Sequence, residues 1–228
     1  MTSLTPFPSL QDEPEASQPL RHIVLFGDGM NELQRVQQER GPGGLEARLL
    51  PNDPEPWKLT LLSADRVVRR SLVAEIPHDA THIVISIEGN RAIQNSGLLQ
   101  TAPQSYEEAL SRLSYAADEF DREVRTLIGA ARSAGLPSVV CIMYPPHYAE
   151  PVHQRAATTA LAIFNDRIIQ RAAEAEMALV DLRGICSSDD DYADETQLSG
   201  SGLRKAAQLI WRALQVTATH DGETRIHR

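Results

Sequence analysis

Asp28 belongs to the segment Gly27-Asp28-Gly29, which directly follows the apolar run from His22 to Phe26. Such a run is typical of a buried first strand that leads into a strand-to-helix turn. In open α/β folds, ligands bind and reactions occur at the carboxyl ends of the strands. This turn is therefore the first candidate position for a functional site.

His147 offers an imidazole at the end of another predicted strand. It follows the apolar segment 138–143, in the loop Tyr144-Pro145-Pro146-His147-Tyr148. An imidazole there could act as a general base toward a water or a serine brought from elsewhere in the chain. The surroundings of four other histidines fit packing or surface roles: His22, His78, His82 and His153.

An acidic segment contains Asp189, Asp190, Asp191, Asp194 and Glu195. Carboxylates in such a cluster could suggest calcium, but the segment has neither the alternating ligand spacing nor the turn glycine of an EF-hand loop. It is more typical of a solvated loop. We therefore predict no metal site and no cofactor.

Three charged residues follow the ends of predicted strands: Arg66, Glu88 and Arg91. They could form a polar or anion-binding site at the mouth of the sheet. They could equally pair with each other and fill a closed pocket. We favour the second interpretation, because neighbouring opposite charges tend to neutralise one another.

The composition excludes several classes of function. The 228 residues carry a formal net charge of −9, which argues against a nucleic-acid-binding surface. No apolar run approaches the roughly 18 residues of a membrane span, so no membrane association is predicted. Residues 1–20 are rich in Pro, Ser, Glu and Gln and predict a disordered leader, not a signal peptide. The expected location is the cytoplasm, and Cys141 is expected to be a small buried apolar residue.

Strand and helix patterns alternate along the chain. Strands are predicted near 22–26, 57–61, 82–87, 138–143 and 178–181. Helices are predicted near 31–40, 65–75, 105–134 and 155–176, and a last helix is predicted through Leu203 to Leu214. Ser105 and Glu108 form a capping-box pattern before the longest helix. The alternation predicts an α/β fold, a three-layer α/β/α sandwich with a flavodoxin-like parallel five-stranded sheet. We expect one domain over 21–214 and a flexible tail over 215–228.

The order of these features resembles the SGNH/GDSL hydrolase family over most of the chain. The stretches that carry the resemblance are Phe26-Gly27-Asp28-Gly29, Leu62-Ser63-Ala64-Asp65-Arg66, Ser86-Ile87-Glu88-Gly89-Asn90-Arg91 and Asp194-Glu195-Thr196-Gln197-Leu198-Ser199. In that family these blocks hold a nucleophilic serine, an oxyanion-hole glycine, an oxyanion-hole asparagine, and an Asp-x-x-His pair. The resemblance implies the SGNH-hydrolase fold.

When the catalytic roles of that family are transferred to this chain position by position, they fall on unsuitable residues. Gly29 stands in place of the serine, Arg66 in place of the glycine, and Gln197 in place of the histidine. Glutamine cannot accept a proton at neutral pH and so cannot replace the base. Asn90 and Asp194 keep the family identities.

Asp28 also matches the family, where the equivalent residue mainly fixes the turn. The resemblance therefore implies a hydrolase-like protein that has lost its esterase machinery and acts by binding a protein partner or a small acyl- or ester-like ligand. Asp28, Asn90 and Arg91 are the candidate ligand-binding residues. The alternative is an active ester or acyl hydrolase in which Asn90 donates to the oxyanion and His147 is a substitute base.

Overall fold

The computed structural model describes residues 21–27, 57–62, 72–87, 102–217 and 226–227. The predicted leader, residues 1–20, lies outside the described residues. The described strands are β1 (Arg21–Phe26), β2 (Trp57–Leu62), β3 (His82–Ile85), β4 (Ser138–Ile142), β5 (Ala178–Asp181) and β6 (Ile226–His227). The described helices are α1 (Leu72–Glu75), α2 (Tyr106–Ala134), α3 (Pro151–Glu174) and α4 (Gly200–Thr217).

The strands form one parallel sheet in the order β2-β1-β3-β4-β5-β6. Ile23 to Phe26 of β1 pair with His82 to Ile85 of β3, and β2 pairs with the other edge of β1. The strand order therefore reverses direction between β1 and β3, which is the topological switch point of a doubly wound sheet.

The sheet contains a sixth strand that the sequence analysis did not predict. Ile226 and His227 pair in parallel with Leu179 and Val180 of β5. The expected five strands were thus one too few. A two-residue edge strand carries no periodic pattern in the sequence, so it could not be distinguished from the polar tail around it.

Alternate residues of strands β1 to β5 pack into two cores on opposite faces of the sheet. Val24 and Phe26 of β1 join the core that packs against α2 and α3. Leu25 joins the core formed with α4. The near-continuous burial of the strands is what a parallel sheet covered on both faces requires. The three-layer α/β/α prediction is confirmed.

The long helix α2 begins and ends where the sequence predicts. Ser105 Oγ accepts the backbone N–H of Glu108 at 3.1 Å, as an N-cap residue does. The Glu108 carboxylate reaches the N–H of Gln104, one residue before the cap, at 2.7 Å. Gly135 closes the helix in the left-handed region at φ +66°.

Helix α3 begins four residues before its predicted start. Pro151 occupies its first turn, and the Glu150 carboxylate accepts the N–H groups of Val152 and His153 at 3.0 and 2.5 Å. A proline at the first helical position needs no hydrogen-bond partner for its nitrogen, which favours an early start. The apolar spacing used for the prediction becomes regular only later in the helix.

Two further findings concern composition-based predictions. Within the described residues, no helix is both long and apolar enough to cross a membrane. Cys141 is 2% exposed on β4, which confirms its predicted burial.

The second cysteine, Cys186, is also buried, and this burial raises the pKa of its thiol to about 12.

Candidate functional site

The carboxyl ends of β1 and β3 meet at the switch point, where ligands bind in doubly wound folds. Gly27 continues β1 into this crevice with φ +104°, and its N–H donates to Leu62 O of β2 at 3.0 Å. A Cβ at this position would lie 2.1 Å from Ser86 O. Only glycine fits, because both the backbone angle and the close approach of β3 exclude a side chain.

Most of the predicted site residues lie outside the described residues. These are Asp28, Gly29, Arg66, Glu88, Asn90 and Arg91. Asp28 and Gly29 follow Gly27 directly in the sequence, and Glu88 follows Ile87. Their assigned roles, including the alternatives for Arg66, Glu88 and Arg91, stay predictions.

Asp194 and Gln197 lie together in a tight turn after β5. Asp194 Oδ1 accepts the backbone N–H groups of Thr196 and Gln197, both at 2.8 Å. The N–H of Ala193 donates to Gln197 O at 2.8 Å, and Tyr192 and Leu198 form an antiparallel bridge that closes the turn. We call residues 192–198 the site hairpin. One function of the Asp194 carboxylate is thus to hold the backbone that presents Gln197.

A buried carboxylate fixes the base of the site hairpin. Asp191 is fully buried, and its two carboxylate oxygens lie 2.7 and 2.8 Å from Lys205 Nζ on α4. Its Oδ2 also accepts the N–H groups of Ser187 and Ser188. Burial alone would raise the pKa of Asp191, but Lys205 and these N–H groups hold it below its ordinary value.

The prediction of a solvated acidic loop is therefore wrong for Asp191. Three consecutive aspartates suggested exposure, but the side chain of the third turns inward to Lys205. For the same loop, the sequence predicts no metal site. Among the residues that the structure describes, no group of three or more His, Cys, Asp and Glu side chains could hold a metal ion.

Helix α4 begins next to the turn that contains Asp191. Ser199 Oγ accepts the N–H groups of Ser201 and Gly202 at 3.1 and 3.3 Å, and its own N–H donates to Asp191 O. A Cβ at Gly202 would lie 2.3 Å from Asp191 O. The glycine thus allows α4 to approach the hairpin closely.

The structure brings His147 to the site hairpin. Its backbone N–H donates to Glu195 O at 2.7 Å, and its ring stacks on Tyr192 with 4.8 Å between centroids. Its Nε2 lies 3.0 Å from Asp189 Oδ1. A carboxylate on one ring nitrogen is the arrangement that orients a basic histidine. Both partners are solvent-exposed, however: the His147 side chain is 46% exposed and that of Asp189 is 94% exposed.

Tyrosine hydroxyls join the His147 loop to the site hairpin. Tyr144 Oη donates to Thr196 O at 3.1 Å, and Tyr192 Oη donates to Pro145 O at 2.8 Å. Burial is the main reason that the pKa of Tyr192 rises well above its usual range. The neutral phenol is therefore retained as a donor, and the two loops are held as one unit.

Asn165 is a positioning residue whose contacts the sequence analysis did not predict. It is 2% exposed on α3, where its Oδ1 accepts the N–H of Met143 at 2.9 Å and its Nδ2 donates to Met143 O at 3.0 Å. The side-chain amide thus replaces a neighbouring strand at the end of β4. An asparagine on the apolar stripe of a helix was the available signal, since a buried amide needs hydrogen-bond partners.

Comparison with known proteins shows a similarity of structure. No family model and no curated protein sequence matches the chain. Solved structures do match over nearly their whole length. The crystal structure of TesA superposes with a TM-score of 0.58 at 14% identity, covering 86% of this chain and 99% of that one.

Two further structures give the same result. The esterase EstA from Pseudoalteromonas sp. has a TM-score of 0.57 at 14% identity, covering 88% of this chain and 100% of that one. A protein of Slackia heliotrinireducens assigned to the SGNH hydrolases has a TM-score of 0.53 at 15% identity, covering 86% and 100%. At these identities the similarity establishes the fold: the chain has the fold of the SGNH hydrolases, as the sequence blocks predicted.

Proposed function

We propose that this protein with the SGNH-hydrolase fold binds a small acyl- or ester-like ligand and does not hydrolyse it. The observation that carries the proposal is the site hairpin. Its Asp194-x-x-Gln197 turn matches the family's Asp-x-x-His block in sequence, but a carboxamide stands in the position of the base. Asp194 meanwhile uses Oδ1 to hold the backbone of that turn.

The chemistry of ester hydrolysis explains why this replacement matters. The reaction needs a hydroxyl nucleophile and a base that removes its proton. Gly29 has no side chain to acylate, and the Gln197 carboxamide takes no proton at neutral pH. An intact oxyanion hole alone gives a residual acceleration on the order of 10³–10⁴ over water. Here Arg66 stands in place of the glycine that completes the hole, so this residual acceleration is also expected to be lost. An ester or acyl group held by polar groups such as Asn90 would then persist unreacted.

Restoring the two missing groups tests the proposal. The wild-type protein should not react with a serine-directed alkyl phosphonate and should hydrolyse a short-chain aryl ester no faster than buffer. The double variant Gly29→Ser, Gln197→His should gain both reactions, whereas each single variant should gain little, because nucleophile and base act as a unit. Wild-type hydrolysis that is lost in Asn90→Ala would overturn the proposal.

The pairing of His147 with Asp189 favours a second candidate function, an active hydrolase that uses His147 as its base. In that case the wild-type protein should hydrolyse the aryl ester. His147→Ala should abolish this activity, and Asp189→Asn should lower it, because the carboxylate orients the imidazole. His78→Ala is the matched control, since His78 is exposed on the turn before β3.

A further inference from the structure

The exposed side of helix α4 carries only positive charge. The helix contains no Asp or Glu, and its charged residues are Arg204, Lys205 and Arg212. Lys205 binds the buried carboxylate of Asp191. Arg204 and Arg212 are exposed, and neither forms an ion pair with another residue that the structure describes. In a chain with a net charge of −9, two such cations on one helix favour the binding of an anionic group.

The two arginines lie on the same side of α4. They are a little over two turns apart, which places their Cα atoms about 12 Å apart along the helix axis. Gln208 is exposed midway between them. The other side of the helix is buried in the core, through residues such as Leu203 and Ile210. An extended segment that lies along the exposed side could therefore place one carboxylate on each guanidinium.

The chain enters the described fold beside the same side of α4. Cζ of Arg21, the first residue of β1, lies 4.9 Å from the centroid of the Trp211 ring on α4. Ile23 and Leu25 of this strand pack in the core formed with α4. The residues that precede Arg21 are therefore attached to the fold next to Trp211.

The sequence before Arg21 has the complementary charge. Residues 1–20, which lie outside the described residues, contain Asp12, Glu13 and Glu15 but no Lys, Arg or His. In an extended chain, the stretch from Glu15 to Arg21 reaches about 20 Å, which exceeds the separation of the two arginines on α4. The stretch from Asp12 to Glu15 spans about 10 Å when extended, close to that separation. The acidic residues can therefore reach both arginines at once.

We propose that residues 12–15 dock on the exposed side of α4 in the same molecule, with their carboxylates against Arg204 and Arg212. Exposed ion pairs are individually weak, but the tether gives the acidic residues an effective concentration on the order of millimolar at α4. The docked segment covers the cationic side of a helix whose start lies next to the base of the site hairpin. The contact needs neither a ligand nor hydrolysis, so it does not depend on the proposed function.

Disulfide cross-linking in the full chain tests the contact. Cys141 and Cys186 are 2% and 3% exposed, so they do not compete with thiols introduced at the surface. Under oxidation by copper phenanthroline, Ala16→Cys with Gln208→Cys should form an intramolecular disulfide about tenfold faster than Ala16→Cys with Ser133→Cys. Two or three exposed ion pairs support a population ratio of about this size. Ser133 is a matched control position, since it is exposed near the end of α2, at the same edge of the sheet but on its other face.

Charge variants of the leader separate docking from proximity along the chain. Asp12→Asn, Glu13→Gln and Glu15→Gln together should reduce the faster cross-linking rate to the control rate, because they leave the arginines no anionic partner. About 1 M salt should have the same effect, since the screening length is then about 3 Å and exposed ion pairs are lost.

Matched arginine variants locate the surface that the leader binds. Arg204→Gln with Arg212→Gln should also reduce the cross-linking rate to the control rate. Arg132→Gln with Arg155→Gln removes the same charge from exposed positions of α2 and α3, on the other face of the sheet. This control pair should leave the faster rate unchanged.

Three results would overturn the inference: equal rates for the two cysteine pairs, a rate that does not depend on the leader carboxylates, or an equal loss in both pairs of arginine variants. A disulfide that forms only between molecules would also contradict it, because a second copy would then supply the segment that binds α4. Ester hydrolysis by the wild-type protein would contradict the proposed function and would leave each of these cross-linking outcomes unchanged.

Discussion

At the scale of single residues, Asp191 shows how one buried charge organises the candidate site. Its carboxylate holds two backbone N–H groups and Lys205 at the same time, while its backbone carbonyl receives the N–H of Ser199. The start of α4 and the base of the site hairpin therefore depend on one residue. An uncharged replacement would weaken every one of the side-chain contacts together.

Asp191→Asn should lower the free energy of unfolding by about 2 kcal/mol at neutral pH, since hydrogen bonds to charged groups are worth about 1.5–3 kcal/mol each. The pKa of Asp191 is held below its ordinary value in the folded protein, so its contribution is complete above the unfolded pKa and is lost as the pH falls. The difference between variant and wild type in urea unfolding should therefore shrink in acid.

The neighbouring Asp190 supplies the control for this prediction. Its side chain is exposed, and its backbone carbonyl, which accepts from Ser199 Oγ, is unchanged in Asp190→Asn. That variant should unfold like the wild type at every pH. A loss in Asp190→Asn equal to that in Asp191→Asn would contradict the assignment.

At the scale of elements, replacing either of two helical glycines by alanine should change the stability of the protein, but in opposite directions. Gly202→Ala should destabilise the protein by about 1–3 kcal/mol, because its Cβ would meet Asp191 O at 2.3 Å and push α4 away from the hairpin. Gly129→Ala, within α2, should stabilise by about 0.5–1 kcal/mol, because nothing lies within 4 Å of its Cβ and alanine is the better helix former. Thermal unfolding of the two variants measures both changes in stability. If both substitutions destabilise the protein, the packing argument is contradicted.

Periodic elements could be predicted from the sequence, and contacts between distant residues could not. The stripe of α2 and the runs of β3 and β4 repeat the pattern that burial imposes, so their positions were predicted closely. The start of α3 was missed because a local cap, Glu150 with Pro151, determines it.

For the candidate site, too, the sequence predicts some residues but not the contacts between distant ones. Sequence blocks identified Asp194 and Gln197, which the structure places in one turn. The pairings of Asp191 with Lys205 and of His147 with Asp189 depend on how two loops and a helix meet after folding. No pattern in the sequence encodes those distances.

At the scale of the whole molecule, carboxylates join elements that lie far apart in the sequence. Asp121 on α2 receives Arg171 Nε of α3 at 2.6 Å, beside the edge-to-face pair of Phe120 and Phe164. At the amino edge of the sheet, Asp79 receives Lys58 Nζ at 2.7 Å and lies 2.9 Å from the buried ring of His22. The same type of group therefore stabilises one helix layer and one end of the sheet.

These two carboxylates should give the molecule an acid-sensitive stability with two different responses to salt. The hydrogen bond from Lys58 is the main reason that the pKa of Asp79 falls to about 2. Burial opposes the shift at Asp121, but the hydrogen bond and charge of Arg171 lower its pKa. Because both folded pKa values lie below the unfolded value, the stability from these groups is present near neutral pH and is lost progressively below about pH 5.

Salt separates the two contributions, because ionic screening acts mainly on exposed pairs. Asp79 and Lys58 are 57% and 46% exposed, whereas Asp121 and Arg171 are 12% and 15% exposed. In urea unfolding near neutral pH, the effect of Asp79→Asn should nearly vanish in about 1 M salt, where the screening length is about 3 Å. The effect of Asp121→Asn, expected to be about 2 kcal/mol, should persist. An equal loss of both effects in salt would show that the contact between α2 and α3 is no better shielded from solvent than the edge of the sheet.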